Sequence, residues 1–246
     1  MNLTIANIST QVSSADLQAA LAAIGKQVSQ HFQPEWGITA TLQGTAAQVG
    51  DHKIKIKGNH DAIIYLGDSS QDPTKGVQGA LGYHSDVYPN VPYGFVYLDI
   101  CTEYNEKWTC TLSHEVLELL ADPQANATVQ GPSPKGQGTV NYDLEVADPT
   151  QGDSYDIDNI NLSNFVGKAY FGMPGGSGKT NYLNLELKAF GVRPGGYFQY
   201  EDSTGAHQVQ GNKVTRRMLE AKARMGLARR NARREDRLRK SLQTHA

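Results

Sequence analysis

The segment Thr111-Leu112-Ser113-His114-Glu115-Val116-Leu117-Glu118-Leu119-Leu120-Ala121-Asp122-Pro123 constrains this chain more than any other. Leu112, Val116, Leu119 and Leu120 recur at helical spacing and form one apolar face. Asp122-Pro123 is a stop, because proline has no N–H to donate and disfavours a helical residue before it. The spacing predicts a helix from Trp108 to Ala121 that must bury its apolar side in a core.

Leu117 and Ala121 lie beside that face, and the polar face holds His114, Glu115, Glu118 and then Asp122 one turn later, with no Lys or Arg among them. Residues four apart stand one above the other, so His114 and Glu118 can point at a common ion, with Glu115 on the same side. This is the HExxH metallopeptidase arrangement with a glutamate in place of the second histidine. The plainer reading is the solvated face of an amphipathic helix. A solvated face usually mixes signs, because clustered acids repel one another. A strand-like Tyr93 to Ile100 precedes the helix, and a second acidic block, Leu144-Glu145-Val146-Ala147-Asp148-Pro149, follows it. Both raise the metal reading above the solvated one.

The two blocks resemble, as a pair, those of a group of bacterial and phage-associated zincin-like metallopeptidases, and more distantly those of the plant exordium-like family. The first block is Ser113 to Pro123 and the second Glu145 to Pro149; the Trp36-Gly37 region and the loop Gly131 to Gly138 share the likeness. The resemblance covers roughly residues 30–200 and leaves out the C-terminal tail. It implies a zincin-type fold and a metal site, and no particular substrate.

The expected ligands are His114, Glu118 and either Glu145 or Asp148, with Asp122 as a further candidate. Zinc is the first choice because an imidazole is present, although carboxylate-rich sites also take harder divalent cations. Glu115 is the expected general base, taking a proton from water and passing it to a leaving amine. Tyr142, Tyr155 or His84 are candidates for stabilising an oxyanion. The expected activity is that of a zinc metallopeptidase acting on a peptide or protein substrate. The alternative is a structural or assembly protein, a component of a phage or phage-like particle, whose zincin-like domain is non-catalytic.

The expected fold is α+β: a zincin-like mixed sheet, an N-terminal helix, the central metal-site helix and a basic C-terminal helix. Ser13 caps the first helix, with Leu17, Leu21, Ile24, Val28 and Phe32 at helical spacing, and the helix should end before Pro34. Strands are expected at Gly37 to Leu42, Lys53 to Lys57, Ala62 to Leu66, Tyr93 to Ile100, Thr139 to Val146 and Tyr182 to Leu187. Gly131 to Gly138 reads as a loop. Gly172 to Thr180 resembles a phosphate-binding loop, but Gly172 is one residue too far from Gly178-Lys179-Thr180, so it too reads as a loop. The aspartates between Asp143 and Asp158 lack an EF-hand pattern and read as an acidic surface stretch. Cys101 and Cys110 are expected to be free and partly buried, a short hairpin disulfide being the alternative.

Charge divides the chain in two. Residues 1–212 hold 11 basic and 22 acidic residues, and the tail from Lys213 holds twelve basic and three acidic ones. The expected division is a zincin-like domain over 1–212 and a basic helical tail over 213–246 that docks on an acidic protein surface or nucleic acid. No apolar run is long enough to span a bilayer and the N-terminus has no signal-peptide pattern, so the expected setting is cytoplasmic or particle-associated, without a membrane. A homo-oligomer or larger assembly fits the split charge.

Overall fold

A computed structural model describes residues 1–50, 53–55, 60–69 and 91–212. The basic tail, His84 and the end of the Lys53 to Lys57 segment lie outside the described residues.

The chain is a mixed α/β fold. Strand β1 (Asn2–Asn7) leads into helix α1 (Ser14–Lys26), a π-helical turn (Gln27–Phe32) and helix α2 (Gln33–Trp36). Strands β2 (Thr41–Ala46), β3 (Gln48–Gly50), β4 (Lys53–Lys55), β5 (Ala62–Gly67) and β6 (Tyr93–Tyr97) follow. Then come helix α3 (Leu98–Tyr104) and the site helix α4 (Trp108–Ala121), the latter with the bounds its periodicity predicts. Strands β7 (Thr128–Pro132), β8 (Thr139–Asp143), β9 (Ser154–Ile157), β10 (Ile160–Ser163), β11 (Tyr197–Asp202) and β12 (Gly205–Gln210) complete the described chain.

Where a mixed sheet is expected, the described residues form two four-stranded sheets and two two-stranded ones, β10-β9 and β3-β4. One four-stranded sheet runs β2-β1-β5-β6 with every neighbour parallel; the other runs β12-β11-β8-β7 with every neighbour antiparallel. β5 shows why the first is parallel. Ala62 to Gly67 is buried throughout, and a sheet covered on both faces needs continuous apolar strands. Helix α1 provides the crossover that joins parallel β1 to β2. The site helix packs against β5 and β6 on one side and β10 on the other. Leu112, Val116, Leu117, Leu119 and Leu120 join Leu3, Ile5, Leu21, Ile24 and Phe32 in the main core.

Several local expectations are corrected by packing. Ser13 caps α1 as expected, accepting from Asp16 N. The helical path does not stop before Pro34, however. The π turn carries it on, Pro34 lies in the first turn of α2, and Gly37 ends it at φ 75°. The strand begun at Tyr93 ends at Tyr97, and Ile100 lies on α3. Gly37 to Ala40 is not strand, and β8 stops at Asp143. Tyr182 to Leu187 forms no strand; Asn181 makes one bridge to Val166 instead. The β11–β12 hairpin was not foreseen. Cys101 and Cys110 are free, fully buried and on consecutive helices. Among the described residues no helix is long and apolar enough to cross a membrane.

Candidate metal centre

The site helix is buried from Thr109 to Leu120, so the solvated-face reading of its polar residues is overturned. His114 is 1% exposed, Glu115 4% and Glu118 5%. Polar groups at that depth need partners of their own.

Two anchors hold the helix. Ser113 Oγ donates to Cys110 O and accepts from Ser163 N at 2.7 Å, pinning the helix to β10. Thr109 Oγ1 donates to Asn161 O at 2.7 Å on the same strand. β10 is delivered by a tight hairpin whose turn residues, Asp158 and Asn159, both have positive φ, the pair that a two-residue turn between right-twisted strands requires.

His114 and Glu118 meet as their four-residue spacing predicts, with His114 Nε2 3.1 Å from Glu118 Oε1. The second acidic block arrives from the other side. After β8 the chain makes a short 3-10 turn at Asp148–Thr150, which brings Asp148 Oδ1 to 3.2 Å from His114 Nε2. Glu118 Oε1 also accepts from Asp148 N at 3.2 Å and Ala147 N at 3.4 Å. One carboxylate oxygen thus joins the helix to the block that carries the other acid. Glu115 completes the group: His114, Glu115 and Glu118 each offer a ligand atom within 4.8 Å of the others. Glu115 lies over Gly94 of β6, where a Cβ would stand 3.9 Å from Glu115 Oε2.

The other predicted residues have the following settings. Glu145 is buried, and its N closes a turn onto Asp143 O. Asp122 ends the site helix, and its Oδ2 accepts from Ala127 N at 2.8 Å. Tyr142 lies in the antiparallel sheet among Phe190, Phe198 and Tyr200 and donates to Pro132 O; burial pushes its hydroxyl up to about 12. Tyr155 is bonded to Gln27 and His31. The acidic stretch is dispersed: Asp153 pairs with Arg193, Asp158 with Lys26, and Asp156 accepts from Asn161.

Sequence reasoning passed over Gly94, Ser113 and Tyr170. Gly94 carried a signal, since a glycine inside an apolar strand marks a close approach. Tyr170 is fully buried, and burial first, then Tyr142 and the negative charge of Asp148, raises its hydroxyl far above the ordinary value.

The donor set suits a divalent cation. Nitrogen and oxygen ligands at about 2.0–2.1 Å around a tetrahedral ion sit roughly 3.3 Å from one another. The contacts of 3.1 and 3.2 Å lie near that edge length. They are longer than the roughly 2.7–2.9 Å of a charged histidine donating to a carboxylate. Comparison with protein-family models, curated proteins and solved structures returned no match to this chain.

Proposed function

We propose that this protein is a metal-dependent hydrolase acting on peptide bonds, with His114, Glu118 and Asp148 as the metal ligands and Glu115 as the general base. The observation that carries this reading is the convergence of Glu118 Oε1 and Asp148 Oδ1 on His114 Nε2 at 3.1 and 3.2 Å, with Glu115 in the same buried group. A zinc ion held there would polarise a substrate carbonyl and acidify water. The residues do the rest. Glu115 takes a proton from water and hands it to the leaving amine, a role that contributes roughly 10²–10⁴ in rate. Glu118 is held in place by two backbone N–H groups, so its position does not depend on bound metal. Two carboxylates and one imidazole make the ion a weaker Lewis acid than two imidazoles and one carboxylate do, and admit harder cations such as manganese. Kinship with the zincin-like bacterial and phage-associated group belongs to the same proposal.

The test has two arms. Elemental analysis of protein purified without added metal should find about one zinc per chain in the wild type and none in His114→Ala/Glu118→Ala. Glu115→Gln should keep the metal and lose hydrolysis of a labelled unstructured protein substrate. Metal in the wild type with no turnover would favour a second reading, a structural metal site in an assembly protein. The bonds from Glu118 Oε1 to the backbone of the second block supply an observation for that reading, since they stitch two distant segments together.

A further inference from the structure

A second site stands on the other signals that the sequence left over: His31, Tyr155 and the glycine-rich loop from Gly172 to Thr180. The π-helical turn and that loop enclose a cavity of about 330 Å³, within the size range of small-ligand pockets. Phe165, Tyr182 and His31 form a layered wall, with ring centroids 5.3 Å apart for Phe165–Tyr182 and 4.4 Å for His31–Tyr182, both stacked.

The proton positions at this wall follow from the hydrogen bonds. Ser163 O can only accept, so the amide nitrogen of Gln27 faces it at 2.9 Å. The same nitrogen is 3.1 Å from Tyr155 Oη and donates its second hydrogen there. Tyr155's own proton then goes to His31 Nδ1, 3.0 Å away. With Nδ1 accepting, neutral His31 carries its hydrogen on Nε2 as a donor. Burial lowers the pKa of His31 and favours this neutral form.

Two charged residues are among those that line the cavity. Glu35 is the acid, and each of its oxygens accepts from a backbone N–H: Oε1 from Lys168 N, at the start of a 3-10 turn, at 2.9 Å and Oε2 from Ser177 N of the loop at 2.7 Å. Lys179, which is exposed, is the base. A second ammonium, Lys168 Nζ, stands 3.8 Å from where a Cβ of Gly175 would be. The two backbone N–H groups offset part of the Glu35 charge, and Lys179 brings a positive one, beside an aromatic wall.

We propose that this cavity binds a small planar monocarboxylate, its ring against the aromatic wall at His31 and its carboxylate toward His31 Nε2 and Lys179. The site is independent of the metal centre. The probe is benzoate, with benzamide and benzamidine as neutral and cationic forms of the same ring. Saturation-transfer NMR on the full chain should show benzoate bound, benzamide bound more weakly and benzamidine not bound. Lys179→Met, at an exposed position, should weaken benzoate several-fold with the far-UV spectrum unchanged. His31→Phe, which keeps a ring and removes the donor, should weaken it as well. Carboxylates also bind metals, so His114→Ala/Glu118→Ala is the control, and benzoate binding should survive in it. Loss of binding in that variant but not in Lys179→Met would place benzoate at the metal centre and overturn the proposal. Benzamidine binding as tightly as benzoate would mean that Glu35 sets the charge preference, and would also overturn it. So would the absence of transfer to any probe at millimolar concentration.

Discussion

Glu118 and Glu35 are both buried glutamates on helices, and both accept backbone N–H bonds from the C-terminal half of the chain. Their surroundings differ. Glu118 uses one oxygen for two N–H groups and for His114, and Asp148 and Glu115 stand beside it. Glu35 divides its two oxygens between one N–H of a 3-10 turn, at Lys168, and one of the glycine-rich loop, at Ser177, and neighbouring Gly167 and Gly176 leave no room for a Cβ next to it. A carboxylate neutralised by backbone donors is a fastener. One that shares its oxygen with an imidazole, near two more acids, has the geometry on which the proposed metal site rests.

The largest expected difference between them is in bound metal. Glu118→Ala should abolish zinc in elemental analysis, and Glu35→Ala should leave it unchanged; equal loss in both would erase the distinction. Next in size is stability. Glu35→Ala strands two N–H groups, of Lys168 and Ser177, and should cost about 2 kcal/mol in urea unfolding, at roughly 1–3 kcal/mol for each buried donor left unmade, discounted for partial exposure. Gly176→Ala attacks the same fastener from the loop side. It has φ +70°, and an added Cβ would collide with the Glu35 carboxylate, so a loss of about 1–3 kcal/mol is expected at unchanged metal content. A neutral result there would show that the loop re-forms without Glu35.

The smallest effect is a pH dependence near the loop. Burial lowers the pKa of His31 below its ordinary value of 6.5. The unfolded chain then binds a proton that the folded chain refuses, so stability falls as pH drops from about 6.5 through the lower folded value. Protonation also places a hydrogen on Nδ1, where Tyr155 donates. His31→Gln should flatten this slope in unfolding measurements between neutral and mildly acidic pH. A slope unchanged by the substitution would show that other groups set it, such as His60, whose pKa burial also lowers.

The sequence by itself determined the site helix and the pairing of His114 with Glu118. Both follow from information within one turn or within fourteen residues: the 3.6-residue period, the Asp122-Pro123 stop and the four-residue spacing. It also placed α1 and β5, whose cap and continuous apolar run are local signals. Tertiary structure alone decided that Asp148 meets His114. The same holds for the burial of the polar face, for the separation of parallel from antiparallel sheet, and for the closing of the glycine-rich loop on Glu35. Those outcomes depend on contacts such as Glu118 to Asp148, 30 positions apart, and Glu35 to Ser177, 142 apart. No local period encodes a contact at that separation, because chain entropy opposes it and only the packed core repays the cost.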